Sequence, residues 1–100
     1  MVVVRQTRVF ARWMADQRDL QTRARIGARI DRLAFGHAGD VQPVGGGVSE
    51  LRIHFGPGYR VYFVRRGEAI ILLLCGGDKG SQPRDIALAK HLAAQEKDEV

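Results

Sequence analysis

The chain has 100 residues, of which 45% are hydrophobic, a size typical of one folded domain with a single core. No apolar run approaches the ~20 residues of a transmembrane helix, and the first residues are too poor in apolar side chains for a signal peptide. These features predict a cytoplasmic protein with no membrane partner. Sixteen Lys and Arg residues against eleven Asp and Glu give a net charge of +5, which favours an acidic partner over a basic surface that is merely solvated.

Cysteine and histidine are too scarce for structural metal binding. The single Cys75 cannot form an internal disulfide, and the three histidines are scattered along the chain without zinc-site spacing. Cys75 also lies within an aliphatic run, where burial would raise the pKa of its thiol and make it inert. The sequence therefore predicts no metal and no cofactor.

The first third of the chain predicts a short strand followed by two helices. Residues 2–4 are valines, which favour a strand. Across residues 7–17 the apolar side chains recur every three or four positions, which predicts an amphipathic helix. Asp19 is the predicted N-cap of a second helix over residues 20–35, and the short connection predicts that the two helices form an antiparallel hairpin.

The second predicted helix carries a row of arginines. Arg25, Arg29 and Arg32 follow one another at i, i+4 and i+7, which places three guanidinium groups on one helical face. This row is either a docking surface for RNA backbone or an acidic partner, or a solvated helix face. Taken alone, a row of this kind is more often a solvated face.

The middle of the chain predicts an edge strand and a β-hairpin. Pro43 limits the strand over residues 41–44 to the edge of a sheet, and Gly45–Gly47 is predicted as a turn. Two runs rich in β-branched and aromatic residues then flank Gly56-Pro57-Gly58, which is the pattern of a hairpin with a short glycine-containing loop.

The register of this hairpin is predicted from its apolar pattern. A three-residue loop would pair Phe55 with Tyr59 and Ile53 with Val61, so that apolar residues face one another. The opposite face would then be an open, polar surface formed by Arg52, His54, Arg60 and Tyr62. Four such side chains on one face indicate a candidate site.

The last third predicts a buried strand, a polar loop and a helix. Residues 69–75 are apolar without interruption, which favours a strand covered on both faces. Residues 76–81 are predicted as a glycine-rich loop containing Lys79. Pro83 suits the first turn of a third helix, which is predicted to run from about residue 82 to about residue 95.

Two segments, ELRIHFGPGYRVYF and GGDKGSQPRDI, resemble the RelE/ParE toxin superfamily, and within it the HigB-like addiction module killer group. The resemblance covers essentially residues 1–100 as a single toxin domain. It implies an α+β fold of the RelE type, in which a twisted, mainly antiparallel sheet packs against an N-terminal helical hairpin and carries a short C-terminal helix. It also implies the toxin of a type II toxin–antitoxin module that cleaves mRNA on the ribosome. The implied partners are a cognate antitoxin, ribosome-bound mRNA and, only through the antitoxin complex, operator DNA.

The resemblance also places candidate residues. Arg52 and His54 match positions where ribonuclease members carry basic residues, and Arg60 matches the phosphate-binding arginine. Lys79 stands where some members have a second basic residue. Asp85 stands where RelE itself has a tyrosine, a departure that leaves the general acid and base unassigned. Asp85 is therefore either a site residue or a charge that complements the helix dipole.

The chemistry of these residues fits metal-free RNA cleavage. His54 is the candidate for proton transfer, because the ordinary pKa of histidine lies near neutrality. Arg60, with Arg52 or Lys79, would stabilise charge on the reacting phosphate, and Tyr62 would stack on a base or donate a hydrogen bond. A strand histidine is otherwise an ordinary surface or hydrogen-bonded residue. Two alternatives stay open, a non-catalytic inhibitor of DNA gyrase like ParE and an inactive member that only binds its antitoxin.

Overall fold

The computed structural model describes residues 2–96, in which a five-stranded sheet lies between two layers of helix. The elements are β1 (Val3–Gln6), α1 (Arg8–Ala15), α2 (Leu20–Ala34), β2 (Val41–Gly45), β3 (Val48–Ile53), β4 (Tyr59–Arg66), β5 (Ile70–Asp78), a 3-10 turn (Lys79–Ser81) and α3 (Gln82–Glu96). Among these residues, none of the helices has the length and apolar character needed to cross a membrane.

The sheet has the strand order β1-β5-β4-β3-β2. Strand β1 runs parallel to β5, and the three other pairings are antiparallel. The predicted α+β fold with a mainly antiparallel sheet is therefore confirmed. Strand β2 lies at the edge as Pro43 indicated. Its last residue, Gly45, and the two glycines of the turn to β3 adopt positive φ values of 98°, 64° and 78°.

Both N-terminal helices begin at side-chain caps. The hydroxyl of Thr7 accepts a hydrogen bond from the backbone N–H of Phe10 at 3.0 Å, and the same hydroxyl donates to the carbonyl of Leu74 in β5 at 2.6 Å. The Asp19 carboxylate accepts from the backbone N–H of Thr22 at 2.9 Å, which confirms the predicted cap. Each cap satisfies a helix N–H group that has no partner within its own helix.

The core has two parts, one on each face of the sheet. Side chains of α1 and α2 pack on one face, and side chains of α3 pack on the other. Strand β5 contributes to both parts, with Ile71 and Leu73 on the first face and Leu72 and Leu74 on the second. The prediction that this apolar strand is covered on both sides is confirmed.

The predicted hairpin register is wrong by two residues. Ile53 pairs with Tyr59 and Arg52 pairs with Arg60, so the connection spans residues 54–58 rather than three residues. The N–H of Gly58 bonds to the carbonyl of Phe55 at 3.1 Å, which closes a turn within this loop. Because side chains alternate with a period of two, a shift of two residues leaves every apolar side chain on the same face. Hydrophobicity alone does not distinguish the two registers.

Two glycines predicted as loop belong to strand β5. Gly76 pairs with Val61 and Gly77 pairs with Arg60, so the strand continues to Asp78. A β-carbon on Gly76 would overlap the ring of Trp13, and one on Gly77 would overlap the carboxylate of Asp85. These glycines allow a helix to lie close over each face of the strand.

The predicted open face of the hairpin is also largely closed. Helix α3 covers it, and Tyr62 is fully buried there with Ala89 and Leu92 of that helix. The sequence predicts a packing stripe on α3, formed by Ile86, Ala89 and Ala93, and these residues do pack here, but the stripe does not show which strands the helix covers. A polar pattern on a strand was therefore interpreted as exposure to solvent when part of it forms a buried network.

Candidate active site

One cleft of about 570 Å³ lies where the β3–β4 loop approaches the 3-10 turn after β5. Four of the predicted site residues line it, Arg52, His54, Arg60 and Lys79. Gln82 at the start of α3 and the loop 55–58 complete the walls. Residues from positions 52 to 82 thus meet in one place, because β3, β4 and β5 are adjacent in the sheet.

Arg60 is the least exposed cation of this cleft, with 8% of its side chain accessible. Its Nη1 atom donates to the carbonyls of Gly58 at 3.1 Å and Tyr59 at 3.2 Å, which fixes the guanidinium against the loop. Its Nε atom is buried and has no hydrogen-bond partner among the described residues. The guanidinium is therefore held in one orientation while part of its donor capacity is unused.

Gly58 permits this loop to lie against the cleft. It adopts a φ of +82°, which side-chain-bearing residues rarely adopt. A β-carbon there would also stand 3.4 Å from Cβ of Lys79 and 3.5 Å from Nη1 of Arg60. The glycine thus brings together the two cations that flank it.

Glu50 organises the floor of the site, and sequence reasoning missed it. Its side chain is fully buried. Its Oε1 atom accepts a hydrogen bond from Nε of Arg52 at 2.9 Å, while Oε2 accepts from the Tyr62 hydroxyl at 2.9 Å and from Nε2 of Gln82 at 2.6 Å. Nε of Arg60 lies 4.0 Å from Oε2. One carboxylate therefore connects β3, β4 and α3 beneath the cleft.

This network keeps Glu50 ionised. Burial by itself raises the pKa of the Glu50 carboxyl, but the hydrogen bonds donated by Gln82, Arg52 and Tyr62 outweigh burial and bring the pKa below its ordinary value. Burial, together with the hydrogen bond to Glu50, raises the pKa of the Tyr62 hydroxyl far above its ordinary value. Tyr62 is therefore a neutral donor to a buried anion.

His54 is held by a carboxylate on the neighbouring edge of the sheet. Its Nε2 atom lies 2.8 Å from Oδ2 of Asp40, and 68% of the His54 side chain is exposed. Because an ionised carboxylate only accepts hydrogen bonds, Nε2 carries the proton and the lone pair of a neutral ring lies on Nδ1. The hydrogen bond to His54 lowers the pKa of Asp40 below its ordinary value. Sequence reasoning also missed Asp40, which stands 14 positions earlier in the chain.

Two predicted site residues do not line the cleft. Tyr62 is 0% exposed, so its ring offers no surface on which a base could stack, and that predicted role is corrected here. Asp85 is 6% exposed, packs against Gly77 and accepts a hydrogen bond from the Ser81 hydroxyl. Its carboxylate lies beneath the 3-10 turn, where it fixes the start of α3.

The site contains cations and an imidazole rather than a set of metal ligands. Among residues 2–96, no group of three His, Cys, Asp or Glu side chains is placed to hold a metal ion. The cleft can bind an anion through Arg52, Arg60 and Lys79, with His54 beside them for proton transfer.

Comparison with known proteins gives two matches that cover this site. The family model described as "Phage derived protein Gp49-like (DUF891)" matches residues 13–96. An uncharacterized protein of Haemophilus influenzae is 44% identical over 94 residues, which span 94% of this chain and 95% of that relative.

Proposed function

Because the chain belongs to the phage-derived Gp49-like family, a toxin-like family associated with toxin–antitoxin modules, we propose that it is a type II toxin that cleaves mRNA on the ribosome. This assigns it the activity of the RelE and HigB toxins and a cognate antitoxin as its partner. The observation that carries the proposal is the convergence of Arg52, His54, Arg60 and Lys79 around one cleft. Three positive charges beside an imidazole suit a phosphodiester better than a neutral substrate.

The proposed reaction uses the 2′-hydroxyl of the RNA as nucleophile. His54 accepts its proton through Nδ1, while the bond from Nε2 to Asp40 holds the ring in the required tautomer. The 2′-oxygen then attacks the adjacent phosphorus, and the bond to the 5′-oxygen breaks. The products are a 2′,3′-cyclic phosphate and a 5′-hydroxyl end. The 5′-oxygen takes its proton from solvent, and His54 returns to solvent the proton that it accepted.

Arg60 and Lys79 have different tasks in this reaction. Arg60 presents a planar guanidinium held by two carbonyl groups, so it meets the phosphate oxygens without reorganising. Lys79 is exposed and lines the cleft, where it supplies a further positive charge. Arg52 donates a hydrogen bond to Glu50 through Nε, so its two terminal nitrogens stay available to the substrate.

The test is cell-free translation of a defined mRNA with the purified protein, followed by mapping of the RNA ends. We expect cuts within codons on translated mRNA, with 5′-hydroxyl products, and no cut where the 2′-OH at the cleavage site is replaced by hydrogen. Cuts that leave 5′-phosphates, or that survive the deoxy substitution, would refute the mechanism. Inhibition of DNA supercoiling without RNA cleavage would instead assign the protein to the gyrase inhibitors, and absence of both activities would mark an antitoxin-binding member only.

Matched variants test the residue roles. His54→Ala should slow cleavage about 10²–10⁴-fold, whereas His37→Ala, which removes another exposed histidine outside the cleft, should not. Because Arg60 is buried, Arg60→Lys is a safer change than truncation, since it retains charge. It should still lose about 10²–10³-fold, because a single ammonium replaces the two-pronged donor. If either His54→Ala or Arg60→Lys folds and keeps full cleavage activity, the catalytic role of that residue is refuted.

A further inference from the structure

A second, smaller cleft of about 300 Å³ adjoins the first between α2 and the end of β3. Arg25, Arg29 and Arg32 form its helical wall. His54 and Phe55 form the opposite wall, and both also line the main cleft. The two clefts are therefore continuous past the His54 ring.

The arginines of this second cleft are not paired with carboxylates of residues 2–96. Within the described part of the chain, none of the three forms a salt bridge with a carboxylate. Arg29 donates to the carbonyls of Arg52 at 2.8 Å and Ala38 at 2.9 Å, while its Nε is buried without a hydrogen-bond partner. Arg25 and Arg32 are exposed at the rim. Asp40 acts on Arg29 through space, so three positive charges lie within about 10 Å of helix length without a salt-bridged anion among the described residues.

Phe55 adds an aromatic surface to this charged wall. The guanidinium carbon of Arg25 lies 4.6 Å from the centroid of the Phe55 ring, and that ring is partly exposed. Planar guanidinium and aromatic groups are the surfaces on which unstacked bases stack. An acidic peptide would use the arginines but would gain nothing specific from an aromatic face.

We propose that the second cleft binds the nucleotide next to the cleaved phosphate, with its base against Phe55 and Arg25 and its phosphate against Arg29 and Arg32. This inference rests on the proposed function in one respect, namely that the strand in the main cleft is single-stranded RNA. The strand passes His54 and continues along α2, so α2 determines how much flanking RNA the protein holds. The arginine row is then a binding surface and not a solvated helix face.

Binding can be measured without cleavage. A fluorescein-labelled, fully 2′-O-methylated hexauridylate cannot supply the 2′-OH nucleophile, and its affinity is followed by fluorescence anisotropy from low to physiological salt. Arg25→Gln/Arg32→Gln removes two positive charges from the rim of the second cleft. Arg8→Gln/Arg12→Gln is the matched control, because it also removes two exposed helical arginines, neither of which lines either of these two clefts.

The salt dependence of hexauridylate binding should fall in the Arg25→Gln/Arg32→Gln variant far more than in the control. Each lost phosphate contact lowers the slope of log K against log salt by about 0.7 for a single strand. Because Arg32 is the member of the pair that contacts the phosphate, Arg25→Gln/Arg32→Gln should lower the slope by about 0.7 and the control pair by much less. Phe55→Ala should weaken binding by roughly 5- to 150-fold. Phe35→Ala, which removes an aromatic ring that is 82% exposed on the same chain, should have no such effect.

Other outcomes separate this inference from the proposed function. Equal effects of the two arginine pairs, or binding unaffected by Phe55→Ala, would overturn the second subsite even if mRNA cleavage is observed. If the variants weaken RNA binding as expected but translated mRNA stays intact, the subsite stands and the nuclease function fails. A labelled hexaglutamate peptide that binds this cleft while the hexauridylate does not would also overturn the inference and assign the cleft to an acidic protein.

Discussion

Replacing Glu50 by glutamine should destabilise the fold severely although the side chain keeps its size. Three donors converge on the two carboxylate oxygens of Glu50, which is fully buried. An amide has one acceptor oxygen, so its NH₂ group would face either Nε of Arg52 or the donors of both Tyr62 and Gln82. Removing one partner of a buried charge network costs about 3–5 kcal/mol, and hydrogen bonds to a charged group are worth about 1.5–3 kcal/mol each.

The loss should be a large part of the total free energy of unfolding, which for a domain is about 5–15 kcal/mol. Urea denaturation at pH 7, followed by far-UV circular dichroism, measures it directly. Glu68→Gln is the matched control, because Glu68 is exposed in the turn before β5. A surface change of this kind should stay within about 0.5 kcal/mol. A Glu50→Gln protein as stable as the control would refute the network as a source of stability.

The loss of stability caused by Glu50→Gln should depend on pH in a defined direction. The pKa of Glu50 is lower in the folded protein than its ordinary value near 4.3, so the folded state favours the ionised form. Its contribution is fully present above the unfolded pKa and is lost as the pH falls through the folded pKa. The stability difference between the natural protein and Glu50→Gln should therefore narrow below about pH 4. A difference that widens in acid would contradict this assignment of the charge.

Three further predictions concern the scaffold. Gly77→Ala should destabilise the protein by at least about 1–3 kcal/mol in urea, because its β-carbon would overlap a buried carboxylate, whereas Gly27→Ala in α2, where the space is open, should stabilise it by about 0.5–1 kcal/mol. Cys75, whose thiol pKa burial raises to about 12, should not react with a disulfide reagent at pH 8 until the protein unfolds. Thr7→Ala should cost about 1–2 kcal/mol by thermal or urea denaturation and Thr7→Ser very little, because serine retains a hydroxyl for both hydrogen bonds.

Features that depend on neighbouring residues were predictable from the sequence. The cap at Asp19, the edge position of the strand containing Pro43 and the turn at Gly45–Gly47 each follow from the conformational limits of one residue type. The double burial of β5 followed from its unbroken apolar run. Such rules act within a few positions, so they hold whatever the rest of the chain does.

Features that depend on distant partners were not predictable in the same way. Glu50 reads as an ordinary charged strand residue, and only α3 folding back over β3 and β4 makes it a buried anion with Gln82 as donor, 32 positions later. Asp40 stands in a loop with no motif, and its pairing with His54 depends on β2 lying beside β3. The resemblance selected Arg52, Arg60 and Lys79 as candidate site residues, and the structure brings them to one cleft. The resemblance did not provide the two carboxylates that hold Arg52 and His54.

The charge balance of the cleft gives the proposed chemistry its physical basis. Arg52, Arg60 and Lys79 bring three positive charges, and the buried Glu50 neutralises one of them. Two remain uncompensated, which matches the second negative charge that develops as the 2′-oxygen attacks a singly charged phosphodiester. Asp40 bonds to Nε2 of His54 and acts on Arg52 only through space, without a salt bridge, whereas Glu50 bonds to Arg52 directly. A buried carboxylate beneath the site therefore orients the arginines without cancelling the field that a pentacoordinate phosphate requires.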